Sequence, residues 1–420
     1  MEVFLTLNIY PKKLNTRNCY LLRVSLYCAT FTFTSLSLAA ENPDTFTFTA
    51  SAGVNHDSNL FRSASNEQSE TIRQLSAGVN ANIPVSLQRF IFNASIDDNR
   101  YQHFDHLNYK GGRGKADWAW KVGDRASGDL GYQYEQVIAD FGDIQSRNRD
   151  LVTQKLPFFG INYLVTPNWQ AVGKLSRAEI EHSDSTRQSL NHDINSTAIG
   201  FNYLSGPDNS IGFLATRNDS KYPQSQAVSV LDINGVSIAS VSAINNSYIE
   251  EEYSTVVNWA VTGVSRFIGR VGYTNRDQKE MPSLSFSGGT GRLTYRWSPT
   301  GISSIDFTGY REINSSDDLS ATHIVSRGFS IAPKWSPTDF LRIQLRALRE
   351  TRTYGGNAVF ATATTQQRKD SYWSTQISAN YVPVRNVELS LALERGKRNS
   401  NVENFDYKYN LIMAKGKITF

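Results

Sequence analysis

Apolar and polar residues alternate one by one along most of this 420-residue chain. TFTFTASAGV (45–54) puts Phe46, Phe48, Ala50, Ala52 and Val54 on one face. QLSAGVNANI (74–83) puts Leu75, Ala77, Val79, Ala81 and Ile83 opposite Ser76, Gly78, Asn80 and Asn82. VELSLALE (387–394) does the same with Val387, Leu389, Leu391 and Leu393. Successive strand side chains point to opposite faces, so each run predicts a strand with one greasy and one polar side.

Two kinds of connection separate the runs, and they take turns. The short ones are IPVS (83–86), VGD (122–124), VTPN (165–168), SGPDN (205–209), TGV (262–264), SPTG (298–301), SPTD (336–339) and VPVRN (382–386). Pro, Gly, Asn and Asp fix the backbone in such turns. The long ones are polar: 55–70, 139–148, 221–246 and 355–369. Short turns at one end and long loops at the other are the layout of an outer-membrane barrel. Eight short turns predict an all-β, transmembrane, antiparallel up-and-down barrel of 18 strands, or 16 if two weak runs are loops. Trp120, Trp169, Trp259, Trp297, Trp335, Tyr163, Tyr203 and Tyr381 stand beside the short turns, where amphipathic rings favour a membrane–water boundary. A soluble β-sandwich also alternates, but it explains neither the regular short and long connections nor the N-terminus.

That N-terminus differs from the rest. Lys12, Lys13, Arg17 and Arg23 precede the uncharged VSLYCATFTFTSLSL and then Ala39 and Ala40. This is the order of a secretory signal peptide spanning residues 1–39, cleaved after Ala39 or Ala40, with one barrel domain from 40 to 420. Both cysteines, Cys19 and Cys28, fall in this segment, so the exported chain has no thiol chemistry. Loss of the segment takes four basic residues and one acidic residue, which brings the formal charge from +4 to about +1. After residue 40 no apolar run is long enough for a membrane helix.

With the apolar faces toward lipid, Arg266, Arg270, Arg292, Arg296, Lys334, Arg342 and Arg346 are expected to line the lumen near the short-turn mouth. Elsewhere the lumen reads as mixed or acidic, with Asp117, Asp129, Glu135, Asp306, Glu388 and Glu394. Such a basic wall either gathers anions or forms Arg–carboxylate ladders that hold shape. Tyr310 is a candidate platform for a sugar ring. In the long 221–246 loop, two β-prone runs flank Asn234–Gly235, which favours a hairpin. No nucleophile elbow, phosphate loop or metal-binding His pair with further ligands occurs, so neither catalytic residues, nor a metal, nor a cofactor is expected, and nothing points to nucleic acid.

The first strand runs into GVNHDSNLFR, and Asp57, Ser58, Asn59, Phe61 and Arg62 resemble an early segment of EpsL-type outer-membrane barrels, which are related to the β-barrel porin 2 group. The Trp-Ser-Pro-Thr turns agree with this layout, and the ending KGKITF resembles the signal read by the outer-membrane assembly machinery. The resemblance implies a role in exopolysaccharide synthesis or export across the Gram-negative outer membrane. A polysaccharide and an inner-membrane or periplasmic export apparatus would then be partners. A small-solute porin and a closed surface barrel remain open alternatives. The Asp57–Arg62 segment reads first as a structural latch.

Overall fold

The computed structural model describes residues 45–420 except 143–146, 207, 225, 232–236, 280–284, 316–322 and 356–366, and gives the backbone alone for 226–231 and 237–244. The signal peptide and the Asn234–Gly235 turn lie outside the described residues. The strands are β1 (Phe46–Asp57), β2 (Glu70–Val85), β3 (Gln88–Tyr101), β4 (Tyr109–Val122), β5 (Ala126–Ile138), β6 (Leu151–Thr166), β7 (Trp169–His182), β8 (His192–Leu204), β9 (Ser210–Lys221), β10 (Gln226–Leu231) and β11 (Ser237–Ile244). They continue with β12 (Tyr248–Thr262), β13 (Ser265–Gln278), β14 (Phe286–Thr300), β15 (Ser303–Ser315), β16 (His323–Thr338), β17 (Leu341–Gly355), β18 (Lys369–Val384), β19 (Val387–Ser400) and β20 (Tyr407–Thr419).

Eighteen of these form one antiparallel wall, each strand beside its chain neighbour, with β9 pairing β12. The wall closes where β1 meets β20, Thr49 opposite Thr419 and Asp57 opposite Leu411. Closure leaves no free strand edge, the condition for crossing lipid with strands. All eight short turns fall where the punctuation places them. β10 and β11 pair as a separate hairpin in the long 221–246 loop.

The outer face carries Phe48, Leu75, Ile96, Ile199, Val271 and Leu391, all exposed, and the short-turn end is ringed by Tyr163, Trp169, Tyr203, Trp297, Trp335 and Tyr381. Exposed aliphatics over a closed wall have one sensible solvent, a bilayer. Strands of 12 to 16 residues exceed the roughly 9–11 that a tilted strand needs to cross. The surplus projects beyond the bilayer at the long-loop end. There the outer face turns charged, with Arg177, Glu179 and Glu181 on β7 and Asp193 on β8.

In this projecting part the rule "apolar outward" inverts. Val152, Leu156, Ala178, Ile180 and Ile194 are buried together with Ala139 on the inner face. On β7 the apolar positions are odd-numbered at Ala171 and Leu175 and even-numbered at Ala178 and Ile180, on a strand that pairs continuously with β8. Once the outside of the wall is water, the inside becomes the place to bury apolar groups.

Candidate functional site: the barrel lumen

The lumen divides into two regions with different packing. In the half nearer the short turns the expected basic residues face inward. Arg292 grips Glu312 with Nε and Nη2, both at 2.6 Å. Arg296 grips Asp306 at 2.7 and 3.0 Å, and Lys334 reaches the same carboxylate at 3.2 Å. Arg270 pairs with Glu252. Arg266 donates to Asn258 Oδ1 at 2.7 Å and to the Asp208 carbonyl at 2.9 Å. Much of the basic wall is thus a ladder of ion pairs, of the shape-holding kind.

The ladder does not cancel the charge. Arg296 and Lys334 share one carboxylate. On β17 to β20 the register sets Arg342 opposite Asn380, Asn380 opposite Ser390, and Ser390 opposite Lys415. Next to this row lie Lys417, 3.3 Å from Glu388, and Arg346 on the same face as Arg342. Glu388 and Glu394, the latter in the row of Arg346 through Gln376, are the acidic members of this group. On the opposite wall Asp117 lies 2.9 Å from Lys115 and Glu135 lies 2.7 Å from Arg113, while Asp129 has no ion pair among the described residues.

Toward the long loops the interior is filled. Arg276 is fully buried and bound to Glu250 at 2.5 Å, with Tyr248 under its guanidinium at 4.1 Å. Asp370 is buried between Arg368 and Arg398, and Arg368 lies over Tyr354 and Phe405. Leu348, Tyr372, Ala392, Tyr409, Leu411 and Met413 form an inward apolar cluster. Side-chain exposure measures the contrast: 26–34% for Arg292, Arg296, Lys334 and Lys417, against 1–7% for Arg276, Arg398, Arg352 and Arg368. The short-turn half is wet and the long-loop half is packed. Tyr310 sits between them, its hydroxyl on Glu350 and one ring face covered by Arg292 at 4.1 Å, so that face is not free for a sugar.

The Asp57–Arg62 segment begins the first long loop and turns inward. Asp57 accepts from the Asn59 amide at 2.9 Å and from Arg62 at 2.8 Å. Asn59 donates to the carbonyls of Ser63 and Lys408 at 2.9 and 3.0 Å. Ser58 exchanges bonds with the backbone of Asn410 at 2.8 and 2.9 Å. Leu60 and Phe61 are buried with Tyr101, Leu107, Ile138 and Phe141, and Phe61 meets Phe104 and Phe141 edge-on at 4.9 and 5.1 Å. The segment clamps the β1–β20 seam and caps part of the outer mouth. A second clasp centres on Asp150, which holds His182 at 2.7 Å, the Asp184 amide at 3.1 Å and Arg187 at 3.5 Å. Burial alone raises the Asp150 carboxyl, but these three partners together hold it below its ordinary value.

Glu250, Arg276, Asp370 and Asp150 were not singled out by the sequence, although cross-strand register from the short turns would have paired Glu250 with Arg276. No group of three or more metal-ligating side chains occurs among the described residues.

The family described as "Putative beta-barrel porin 2" matches residues 269–420. That stretch includes both Trp-Ser-Pro-Thr turns and leaves out the Asp57–Arg62 segment. This chain is a closed 18-stranded antiparallel β-barrel, and its part from β13 onward is similar to that family. No curated protein matches it. Among solved structures it is similar to the outer membrane protein OpdK of Pseudomonas aeruginosa, at 9% identity and TM-score 0.48, over 89% of this chain and 99% of that one. OccK2 (OpdF) of the same organism, solved with glucuronate, gives 9% and 0.49 over 90% and 98%. The siderophore receptor PirA, also from P. aeruginosa, gives 7% and 0.44 over 91% and 81%.

Proposed function

We propose that the chain is a channel for small solutes with a preference for anions. The observation that carries this reading is the excess of basic over acidic side chains in this part of the wet half, where Arg342, Arg346, Lys415 and Lys417 stand with Glu388 and Glu394. A charged, narrow, low-dielectric wall concentrates its counter-ion and repels its co-ion. An 18-stranded wall is wide enough to hold water where side chains do not fill it. The packed outer half then sets the size limit, and the cationic half sets the sign.

The test is reversal potential in planar bilayers under a salt gradient. Wild type is expected to be anion-selective, and Arg342→Glu/Arg346→Glu/Lys415→Glu/Lys417→Glu to be cation-selective. Selectivity that ignores the four changes rejects the reading, and a protein without conductance is a closed barrel.

Outward passage of a polysaccharide is a second reading, favoured by the wetter mouth facing the periplasm and by the resemblance of the Asp57–Arg62 segment. It requires the first loop to leave the outer mouth, because Leu60 and Phe61 are buried there. A deletion strain that loses surface polymer while nutrient uptake stays normal supports this reading over the porin. Leakage of small solutes with no polymer defect does the reverse.

A further inference from the structure

Charge on the outside of the projecting wall is arranged in two ways. On β6 to β13 the outward cations other than Lys221 are matched by carboxylates: Lys155 with Glu181 at 3.0 Å, Arg177 with Asp193 at 3.0 Å, Arg217 with Glu251 at 2.5 Å, and Lys279 with Asp219 at 3.0 Å. On β16 to β20 they are not. Arg327, Arg349, Arg395 and Lys397 are exposed and form no ion pair among the described residues. Lys408 has one exposed contact, 3.8 Å from Glu67.

The register gathers them into a strip. Arg349 lies opposite Trp373, Trp373 opposite Lys397, and Lys397 opposite Lys408. Neighbouring strands are about 4.8 Å apart, so like charges here are close enough to repel, and among the described residues only Glu67, beside Lys408, stands against them. The strip has a fixed height. On β17 the outward residues run Leu341, Ile343, Leu345 and Ala347 before Arg349. On β19 they run Val387, Leu389, Leu391 and Leu393 before Arg395. The cations therefore begin where the apolar band ends, on the long-loop side, which is the headgroup level of the outer leaflet.

We propose that this strip binds the phosphate groups of the outer-leaflet glycolipid. Guanidinium and ammonium groups are donor-only and match phosphate oxygens. Trp373, in the same row, is an amphipathic ring at the boundary where such rings settle. The bound phosphates supply the negative charge that the opposite wall draws from its own carboxylates.

The test mixes purified barrel in neutral detergent with three probes, lipid A carrying both phosphates, lipid A stripped of both, and phosphatidylglycerol, and counts bound lipid by native mass spectrometry. Bisphosphorylated lipid A is expected to bind, and the stripped form to bind far less. Arg349→Glu/Lys397→Glu is expected to lose roughly tenfold or more in affinity, since each cation near an anionic headgroup contributes of the order of 1 kcal/mol. Lys155→Gln, on the matched wall, is expected to bind as wild type. Retained heat-dependent gel mobility and unchanged conductance confirm that the variants are closed barrels, and Arg349→Gln/Lys397→Gln replaces the reversal if that one fails to fold. Equal binding of the stripped lipid, equal binding of phosphatidylglycerol, or a variant that binds as wild type overturns the proposal.

Discussion

The guanidinium of Arg62 lies 3.9 Å from the centre of the Tyr409 ring, joining the first long loop to the last strand of the barrel. The same group donates to Asp57 at 2.8 Å, so its charge is met on one side by a carboxylate and on the other by a π face. Arg62→Ala leaves Asp57 buried without its cationic partner, with the Asn59 amide still donating to it. The expected cost is about 3 kcal/mol, in the range for breaking a buried pair, and the cap over the outer mouth loosens. Thermal melts should fall and single-channel conductance should rise. A fall in melting temperature with unchanged conductance would mean that the segment clamps the seam without narrowing the path.

Asp306 separates the two roles of the cationic wall. Asp306→Asn removes the carboxylate shared by Arg296 and Lys334 and leaves both cations facing water-accessible space. Because all three side chains are partly solvated, the stability loss is expected to be about 1 kcal/mol. Anion selectivity should increase. A neutralised Asp306 that leaves the reversal potential untouched would place the selectivity filter elsewhere.

The Asp150 clasp makes the outer end sensitive to acid. Its folded carboxyl is held below the ordinary value by His182, the Asp184 amide and Arg187, against the opposing effect of burial. A depressed folded value contributes stability that is complete above the unfolded value, about 3.9, and is lost as pH falls through the folded one. Hydrogen exchange in residues 183–191, followed from about pH 6 to about pH 2, should speed up at the acid end in wild type. In Asp150→Asn that pH dependence should be absent.

Gly269 and Gly291 lie on the adjacent strands β13 and β14, Gly269 opposite Leu293 and Gly291 opposite Val271, in backbone conformations that side chains rarely adopt, at φ 152° and 157°. A Cβ at Gly291 would lie 2.5 Å from the Arg270 carbonyl oxygen, and one at Gly269 would run into the Arg292 carbonyl. These glycines let the two strands approach. Gly269→Ala should destabilise the barrel by roughly 1–3 kcal/mol, seen as a lower temperature for the heat-dependent gel shift. An unshifted temperature would show that the wall absorbs the methyl group without strain.

The wall itself was legible because its physics is local. Alternation is set by neighbours in sequence, and a two-residue turn such as Ser86–Leu87 fixes the register of both strands it joins. The filling of the lumen was less legible. Reading every apolar face as lipid-facing holds for Leu389 and Leu391 but fails for Ala178 and Ile180, which turn inward beyond the bilayer. The signal was present in RAEIEH (177–182), where Arg177, Glu179 and Glu181 occupy the parity that Leu175 holds one step earlier. The pairing of Arg292 with Glu312 and of Arg62 with Tyr409 depends on separate strands being brought together, which composition does not record.

Asn59 bonds Ser63 with one hydrogen of its amide and Lys408 with the other, so a single side chain reads both ends of the polypeptide. Neither that bond nor the stacking of Arg62 on Tyr409 can exist before the final hairpin has docked on β1. The clasp is therefore a checkpoint in time as much as a piece of architecture. A wall that stops one strand short deprives Asn59 of the Lys408 carbonyl and Arg62 of the Tyr409 ring, and leaves their loop held only by its own residues and by the apolar cluster around Phe61.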